Sequence, residues 1–480
     1  MRRYRTDDNA ISDMSKMDVL NKNSSRKGLI VICTAAFLIP FMGSALNLAL
    51  HEIGQEFSMK AVSLTWVTTS YLLSTAIFQV PFARVADIVG RKRVFMSGLF
   101  ILLISTFLCG FSFSGTMLIA MRGLSGVGSA MMFGTNIAIL TSLFPKESRG
   151  KAIGINTAVI YAALAVGPLL GGIFTKYLGW HSIFFISSAI AAIVLILAAT
   201  LLKGEWRESR GEKFDIIGAV LYGIGIAGLI YGFSTLPDTP AIICLITGII
   251  ILLIFIYYEK GRQFPVFNVR LFSGNRIFAF SSMAALINYA ATFAIIFMLS
   301  LYLQSVRGLN PGTAGLILIS QAVIQSVFSL IAGSLSGRIH PAILATSGMA
   351  IIVAGLAGLI FITDSTPYWF LITLLVLLGV GFGIFSSPNT NMIMGSVGKK
   401  HYSQASATTG TMRMTGQAFS MGIAGMAMSF YMGDSIIGFE SNAQFMQSLH
   451  TTFIIFLVLC IIGVYISRRR VSVTKQTSSL

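Results

Sequence analysis

Two arginines sit inside long apolar runs of the chain, Arg122 and Arg413. A guanidinium at bilayer depth costs at least about 2.5 to 3.5 kcal/mol, so each is functional by default and needs a partner there. The chain's 17 acids offer few: none falls in the middle of an apolar run, and the nearest are Glu52, Asp87 and Glu259 at run ends. All five histidines, His51, His181, His340, His401 and His450, also lie at or beyond such ends. The four cysteines, Cys33, Cys109, Cys244 and Cys460, are far apart without CxxC spacing, which excludes a structural zinc site. Hydrolytic or metal chemistry inside a membrane needs clustered His, Asp or Glu, and direct use of ATP needs a GxxxxGK[ST] loop; the sequence has neither. No metal or other cofactor is expected. What remains suits recognition rather than reaction. Gln321, Gln325 and Ser329 repeat at i, i+4, i+8, Arg413 and Gln417 at i, i+4, and Asn288 and Thr292 likewise, with Tyr71 and Asn389 in two further runs. Such stripes line a central cavity or bond helix to helix, and for any one residue spacing does not decide between the two.

The elements that hold these residues follow from composition. Of 480 residues 55% are hydrophobic and 11% charged, with mean hydropathy +0.81. A soluble domain carries about 25% charged residues, so this chain cannot cover a water-facing surface of its size. Cutting at Gly, Pro and charge clusters gives fourteen spans: about 29–50, 62–82, 94–112, 116–142, 152–175, 182–202, 215–235, 240–258, 277–304, 312–337, 342–362, 368–396, 403–430 and 450–467. At about 20 residues per crossing no sizeable soluble domain is left, and function belongs to the helix bundle. The net charge of +17 is a topology signal. With both termini cytoplasmic, 29 of 34 Lys and Arg fall in inner segments and only Lys60, Lys176 and Arg307 outside. No long cationic run or reader fold points to nucleic acid. Residues 1–27 form a polar tail with no cleavage site after the first apolar run, hence a retained cytoplasmic segment.

Two hydrophilic linkers, 203–213 and 259–276, enclose a two-helix unit with six spans on either side. The expected organisation is a six-helix half over 28–202, linkers and insert over 203–276, a second half over 277–467 and a tail over 468–480. Ala83-x-x-x-Asp87 after span 2 is weakly echoed by Gly333-x-x-x-Gly337-Arg338 after span 10. Duplicated halves meeting at the bilayer midplane are the architecture of secondary transporters.

Three motifs sharpen this reading. After span 2 stands Ala83-Arg84-Val85-Ala86-Asp87-Ile88-Val89-Gly90-Arg91-Lys92-Arg93, a carboxylate, a glycine turn and three cations, in which Asp87 can pair with Arg91 or meet a helix N-terminus. Span 5 carries Gly154, Ala163, Gly167, Pro168, Gly171 and Gly172, a smooth face for close helix approach with a proline bend. Span 4 contains Arg122-Gly123-Leu124-Ser125-Gly126-Val127-Gly128-Ser129-Ala130. The first resembles the cytoplasmic loop signature of the major facilitator superfamily, with Ala83 for its first glycine. The second resembles the antiporter motif of its drug exporters, with one Gly to Ala change. The third resembles the family's Arg-x-x-Gln-Gly-x-Gly-x-Ala, with Ser125 for Gln. Looser likenesses at Arg149-Gly150-Lys151-Ala152, at Gly179 to Phe185 and at Asp215-Ile216-Ile217-Gly218 point to its fourteen-span drug:proton antiporters.

The resemblance implies an all-α membrane protein of fourteen transmembrane helices, the major facilitator fold, acting as a monomer in the cell membrane. It implies alternating access, export of hydrophobic or amphipathic small molecules, proton coupling, and a gating loop of Asp87, Gly90, Arg91 and Lys92. It puts that loop against the start of span 13, near Ser403. A uniporter or importer of an anionic or neutral metabolite is the competing reading; a non-transporting sensor or an intramembrane enzyme stands further off. One departure matters. The family's Asp-x-Thr-x-x-Asn-x-Ala-Leu-Pro stretch here reads Met42 to His51, so the membrane aspartate has become Met42. Arg122 then has Glu52, backbone carbonyls, water or substrate as partners. The cavity is expected to be neutral to positive, with Glu52 at the outer rim as the proton-coupling candidate.

Overall fold

A computed structural model describes residues 4–144, 146–236, 238–267, 269–336, 338–398, 402–433 and 442–477. Gly337, Lys399 and Lys400, and the side chains of residues 1–24, Arg149, Lys151 and Ser403, lie outside that description. The described residues form helices throughout: α1 (Tyr4–Glu56), α2 (Ala61–Val89), α3 (Arg91–Gly110), α4 (Gly115–Leu143), α5 (Lys146–Leu178) and α6 (His181–Leu201). Then come α7 (Ile216–Ser234), α8 (Thr239–Lys260), the short α9 (Arg270–Gly274), α10 (Arg276–Ala290) and α11 (Ala294–Leu301), which runs into a π-turn over Tyr302–Val306. The chain closes with α12 (Pro311–Leu335), α13 (Pro341–Leu359), α14 (Tyr368–Gly395), α15 (Tyr402–Met432) and α16 (Asn442–Thr477).

Helix starts follow local chemistry. Ser114, Asp215, Asn275 and Asn310 each accept a hydrogen bond from the amide three residues on, and Pro311 and Pro341 occupy first-turn positions where a missing N–H costs nothing. Thirteen helices among the described residues are long and apolar enough to cross a membrane. The fourteenth predicted span is α15, long enough at 31 residues but carrying Thr411, Arg413, Thr415, Gln417 and Ser420 along its middle. It is packed among α2, α7, α10 and α16, so its polar face is not left to lipid.

The expected single span over 277–304 is one crossing, Arg276–Val306, whose helix is interrupted midway. Residues 291–293 form turns between α10 and α11, and the amide of Ala294 donates to Ser420 Oγ on α15 at 2.9 Å. A neighbouring helix thus satisfies a backbone donor that a continuous helix would satisfy itself, the condition for irregular backbone at membrane depth. Helices also overrun their predicted ends: α1 extends to Glu56, and α16 begins at Asn442.

The two six-helix halves repeat one packing scheme. In the first half α2 packs on α4, α3 on α4, α1 on α5, α3 on α6 and α1 on α6. The second half repeats it with α12 on α14, α13 on α14, α10 on α15, α13 on α16 and α10 on α16. Even the device is shared. A Cβ at Gly98 would come 2.8 Å from Gly128 O, and one at Gly348 would come 2.7 Å from Gly381 O, so α3·α4 and α13·α14 close on paired glycines. The halves meet along α5·α12 and α2·α15, with α1 touching α11. The insert pairs α7 with α8, and α7 straddles the seam. Tyr222 donates to Ala76 O on α2 at 3.1 Å, while Phe233 lies edge-on to Phe419 of α15 at 5.8 Å. Of the spanning helices α8 buries least inside the protein; Ile243, Ile246, Ile250, Leu253 and Tyr257 stay exposed for lipid.

Candidate functional site

The centre of the molecule is polar, aromatic and basic. Arg122 on α4 is fully buried with its guanidinium 4.3 Å above the ring of Tyr71 on α2, and its Nε donates to Val67 O at 3.2 Å. Neither Nη finds a hydrogen-bond acceptor. Tyr71 donates to Ser129 Oγ at 2.9 Å, which pins the ring, and the charges of both Arg122 and Arg413 act on it. Of the partners expected for Arg122, a backbone carbonyl is found; the aromatic face of Tyr71 was not among them. No ion pair joins it to Glu52 among the described residues; Glu52 is half-exposed at its helix end, its neighbouring charge being Glu56. Met42, which stands where the family has an aspartate, receives Thr106 Oγ1 at 3.8 Å from its sulfur.

Arg413 reaches from α15 into the other half, its guanidinium 5.1 Å from the ring centroid of Phe133 on α4. Tyr161 of α5 and Ser386 of α14 share a hydrogen bond of 2.6 Å across the seam. Phe133, Tyr161, Tyr289, Ser386, Arg413, Gln417 and Gln325 are each partly exposed although they sit mid-helix on seam-lining helices. Partial exposure at mid-helix on the helices of the seam marks accessible space between the halves, which we take as the central chamber. Phe133, Tyr161, Tyr289 and Ser386 escaped the sequence reading; a Tyr and a Ser isolated in apolar runs were the available signal.

The remaining predicted cavity residues divide. Asn288, Gln321 and Arg413 keep side-chain atoms without partners, both ends of the amide for Asn288, Oε1 for Gln321 and Nε for Arg413. Asn389 instead donates to Ser281 O at 3.2 Å, and Thr292 bonds back to Asn288 O, so these two serve helix-to-helix and local bonding.

The antiporter-like motif presents two faces. A side chain at Gly167 or Gly171 would stand 2.6 Å from Ser44 Cβ or Ala45 Cα of α1, whereas Gly172 abuts Pro311 O of α12 and Gly315 of α12 abuts Pro168 O. Ala163 is fully buried, and Gly154 has open space around it. The tight part of the seam therefore lies away from the basic loops. Ser300 Oγ donating to Asn47 O at 2.7 Å and Ser305 bonded to His51 at 2.9 Å reinforce it there.

At the opposite end the Asp87 loop is held by the first linker; the side chain of Ser403 at the start of α15, its expected neighbour, lies outside the described residues. Arg91 is 2% exposed; its Nε donates to Asp87 Oδ1 at 2.9 Å, and its Nη1 donates to Glu208 at 2.8 Å and Ser142 Oγ at 3.0 Å. The linker adds main-chain bonds, Arg91 N to Trp206 O and Ser209 N to Asp87 O, both 3.0 Å. Glu205 accepts from Lys92 N at 2.9 Å, and Glu212 pairs with Arg84. Gly90 has φ +132°, and a Cβ there would strike the Glu205 carboxylate, so both backbone and space call for glycine. The acids Glu205, Glu208 and Glu212 form a strap that the sequence reading missed; their recurrence opposite the cations 84 and 91–93 was the clue.

Comparison with known proteins agrees with this architecture. The family model of the Major Facilitator Superfamily matches residues 32–421 and again 281–479. Among similar proteins are the riboflavin transporter RibZ of Clostridioides difficile (strain 630), 30% identical over 82% of this chain and 86% of its own, and the cephamycin export protein CmcT of Amycolatopsis lactamdurans, 30% identical over 86% and 87%. The multidrug resistance protein Stp of Mycobacterium tuberculosis is 26% identical over 88% and 78%. In fold the chain is similar to a bacterial homologue of the human lysosomal transporter Spinster in its inward-facing, unoccupied conformation, with TM-score 0.70 at 17% identity over 94% and 97% of the two chains. Fourteen-span organisation, duplicated halves, motifs and matches agree: the chain belongs to the Major Facilitator Superfamily and is a membrane transporter resembling its drug:proton antiporters.

Proposed function

We propose that this transporter exports amphipathic small molecules by alternating access in exchange for protons, as a monomer in the cell membrane with both termini cytoplasmic. The observation that carries the proposal is a seam of two like-built halves, sealed on the glycine face of α5 at one end and bearing a polar chamber at its middle. With the basic loops inside, that seal is the outer gate and the Asp87 loop the inner one. Relatives named for antibiotic resistance and export support the direction. Residues 28–202 and 277–467 act as the moving halves and 203–276 as the insert. Glu52 carries the coupling proton at the outer rim, because a carboxylate there is the acid that alternately meets the pocket and water. Arg122 keeps the pocket positive, and Asp87→Asn lowers turnover more than substrate affinity by loosening the inner gate.

One observation favours a second reading: a relative of 30% identity is named a riboflavin transporter, so uptake or equilibration of a metabolite is the alternative. Purified protein in liposomes, given a charge-diverse substrate panel under separate pH, sodium and voltage gradients, separates them. Accumulation against its gradient driven by pH alone, and uncoupled in Glu52→Gln, is the expected result. Flux indifferent to every gradient would instead make the protein a uniporter.

A further inference from the structure

Arg413 is a half-buried cation at the middle of the seam. Its depth holds no acid, because none of the chain's Asp or Glu lies in mid-span. Its Nε is unpartnered, and its guanidinium leans on Phe133 across the seam, so it belongs to both halves' wall. Arg122 is fully buried against Tyr71, out of reach but adding a second positive charge to the same bundle interior. Coulomb forces grow as permittivity falls, so two uncompensated charges at this depth strongly favour an anion and repel a cation. Around them the partly exposed groups are flat: Phe133, Tyr161 and Tyr289. Aromatic faces hold planar rings by stacking and edge contacts, while a guanidinium grips a carboxylate or phenolate through paired N–H donors.

We propose that the chamber selects planar aromatic anions, with Arg413 taking the anionic group and the Phe133, Tyr161 and Tyr289 rings the aromatic body. The inference rests on the transport reading and narrows its substrate class.

Fluorescein and rhodamine 123 share a xanthene skeleton and differ in charge sign, which makes them a suitable pair. Binding is measured to purified wild-type protein in lipid nanodiscs, with empty nanodiscs subtracted, and flux is measured separately in liposomes. A charge-assisted contact corresponds to about tenfold or more in affinity, so fluorescein should bind wild-type protein at least that much more tightly than rhodamine 123. Arg413→Gln should bring the ratio to within about twofold, whereas Arg413→Lys, which keeps the charge, should retain most of it. Equal or reversed order in the wild type overturns the proposal without any variant needing to fold. An unchanged ratio in well-folded Arg413→Gln does so too. The expected charge order with no flux of any compound would leave the inference standing and remove the transport reading. Flux of the cationic dye with reversed order would do the opposite.

Discussion

Arg91 shows how one side chain organises the basic end of the molecule. Buried to 2% exposure, it would be costly without acceptors, and it has an acid from the end of α2, a linker acid and a serine hydroxyl around it. The two acids are not equivalent. Asp87 is largely covered, at 24% side-chain exposure, and engages both Nε and Nη2, whereas Glu208 is 64% exposed. Asp87→Ala is therefore expected to cost about 1.5 to 3 kcal/mol as the loss of a hydrogen bond to a charged group. Glu208→Gln should cost less than about 1 kcal/mol, as for a solvent-screened pair. Denaturation midpoints of the two purified variants in one detergent test the order, and equal losses would mean that the strap acid carries as much as the loop acid. The Asp87–Arg91 pairing was legible in the sequence because only the short turn at Gly90 separates an acid at one helix end from a cation at the next. Glu208 lies 117 residues from Arg91 in an irregular linker, where no period predicts a partner. Arg122 was legible as a residue in need of partners, but the face of Tyr71 could not be read from spacing, since it depends on how α2 packs against α4.

Among the elements, α5 carries the tightest constraint. Its glycines at 167 and 171 meet α1 and its glycine at 172 meets α12, so a single helix touches both sides of the seam through backbone atoms. Gly171→Leu would drive a side chain into Ala45 Cα and O, each 2.6 Å from the position of a Cβ. Overpacking of this kind costs about 1 to 3 kcal/mol, enough to force α1 and α5 apart. Transport should fall at least about tenfold while the protein still reaches the membrane, since each 1.4 kcal/mol is a factor of ten. Transport in liposomes normalised to reconstituted protein checks this; full activity would show that α5 need not stay close to α1. The small-residue pattern was readable because backbone contact between membrane helices admits few residue types. The broken span was not. Residues 291–293 include Ala, Thr and Phe, all compatible with a helix, and the turn is held by Ser420, more than a hundred residues away. Only the packed bundle determines it.

For the whole molecule, the alternation of basic and neutral loops pointed to the span number, because one missed crossing inverts every later loop, and the two hydrophilic linkers pointed to the halves. Direction is open to a direct check. With Cys33, Cys109, Cys244 and Cys460 replaced, single cysteines at Ser114, Asp238 and Asp364 should react with an impermeant thiol reagent applied outside intact cells. Cysteines at Arg210 and Ser273 should not. Reversal at two sites would break the fourteen-span arrangement. The insert is where the molecule's mechanics extend beyond the two halves. Its α7 lies across the seam, the strap of Glu205, Glu208 and Glu212 ties its leading end to the first half, and α8 turns an almost wholly apolar flank outward. Under the proposed alternating access, the strap would make the insert travel with the first half, so that α7 would slide along α15 while α8 moved through the surrounding acyl chains. The viscosity and thickness of the host membrane would then enter the rate of turnover through the insert.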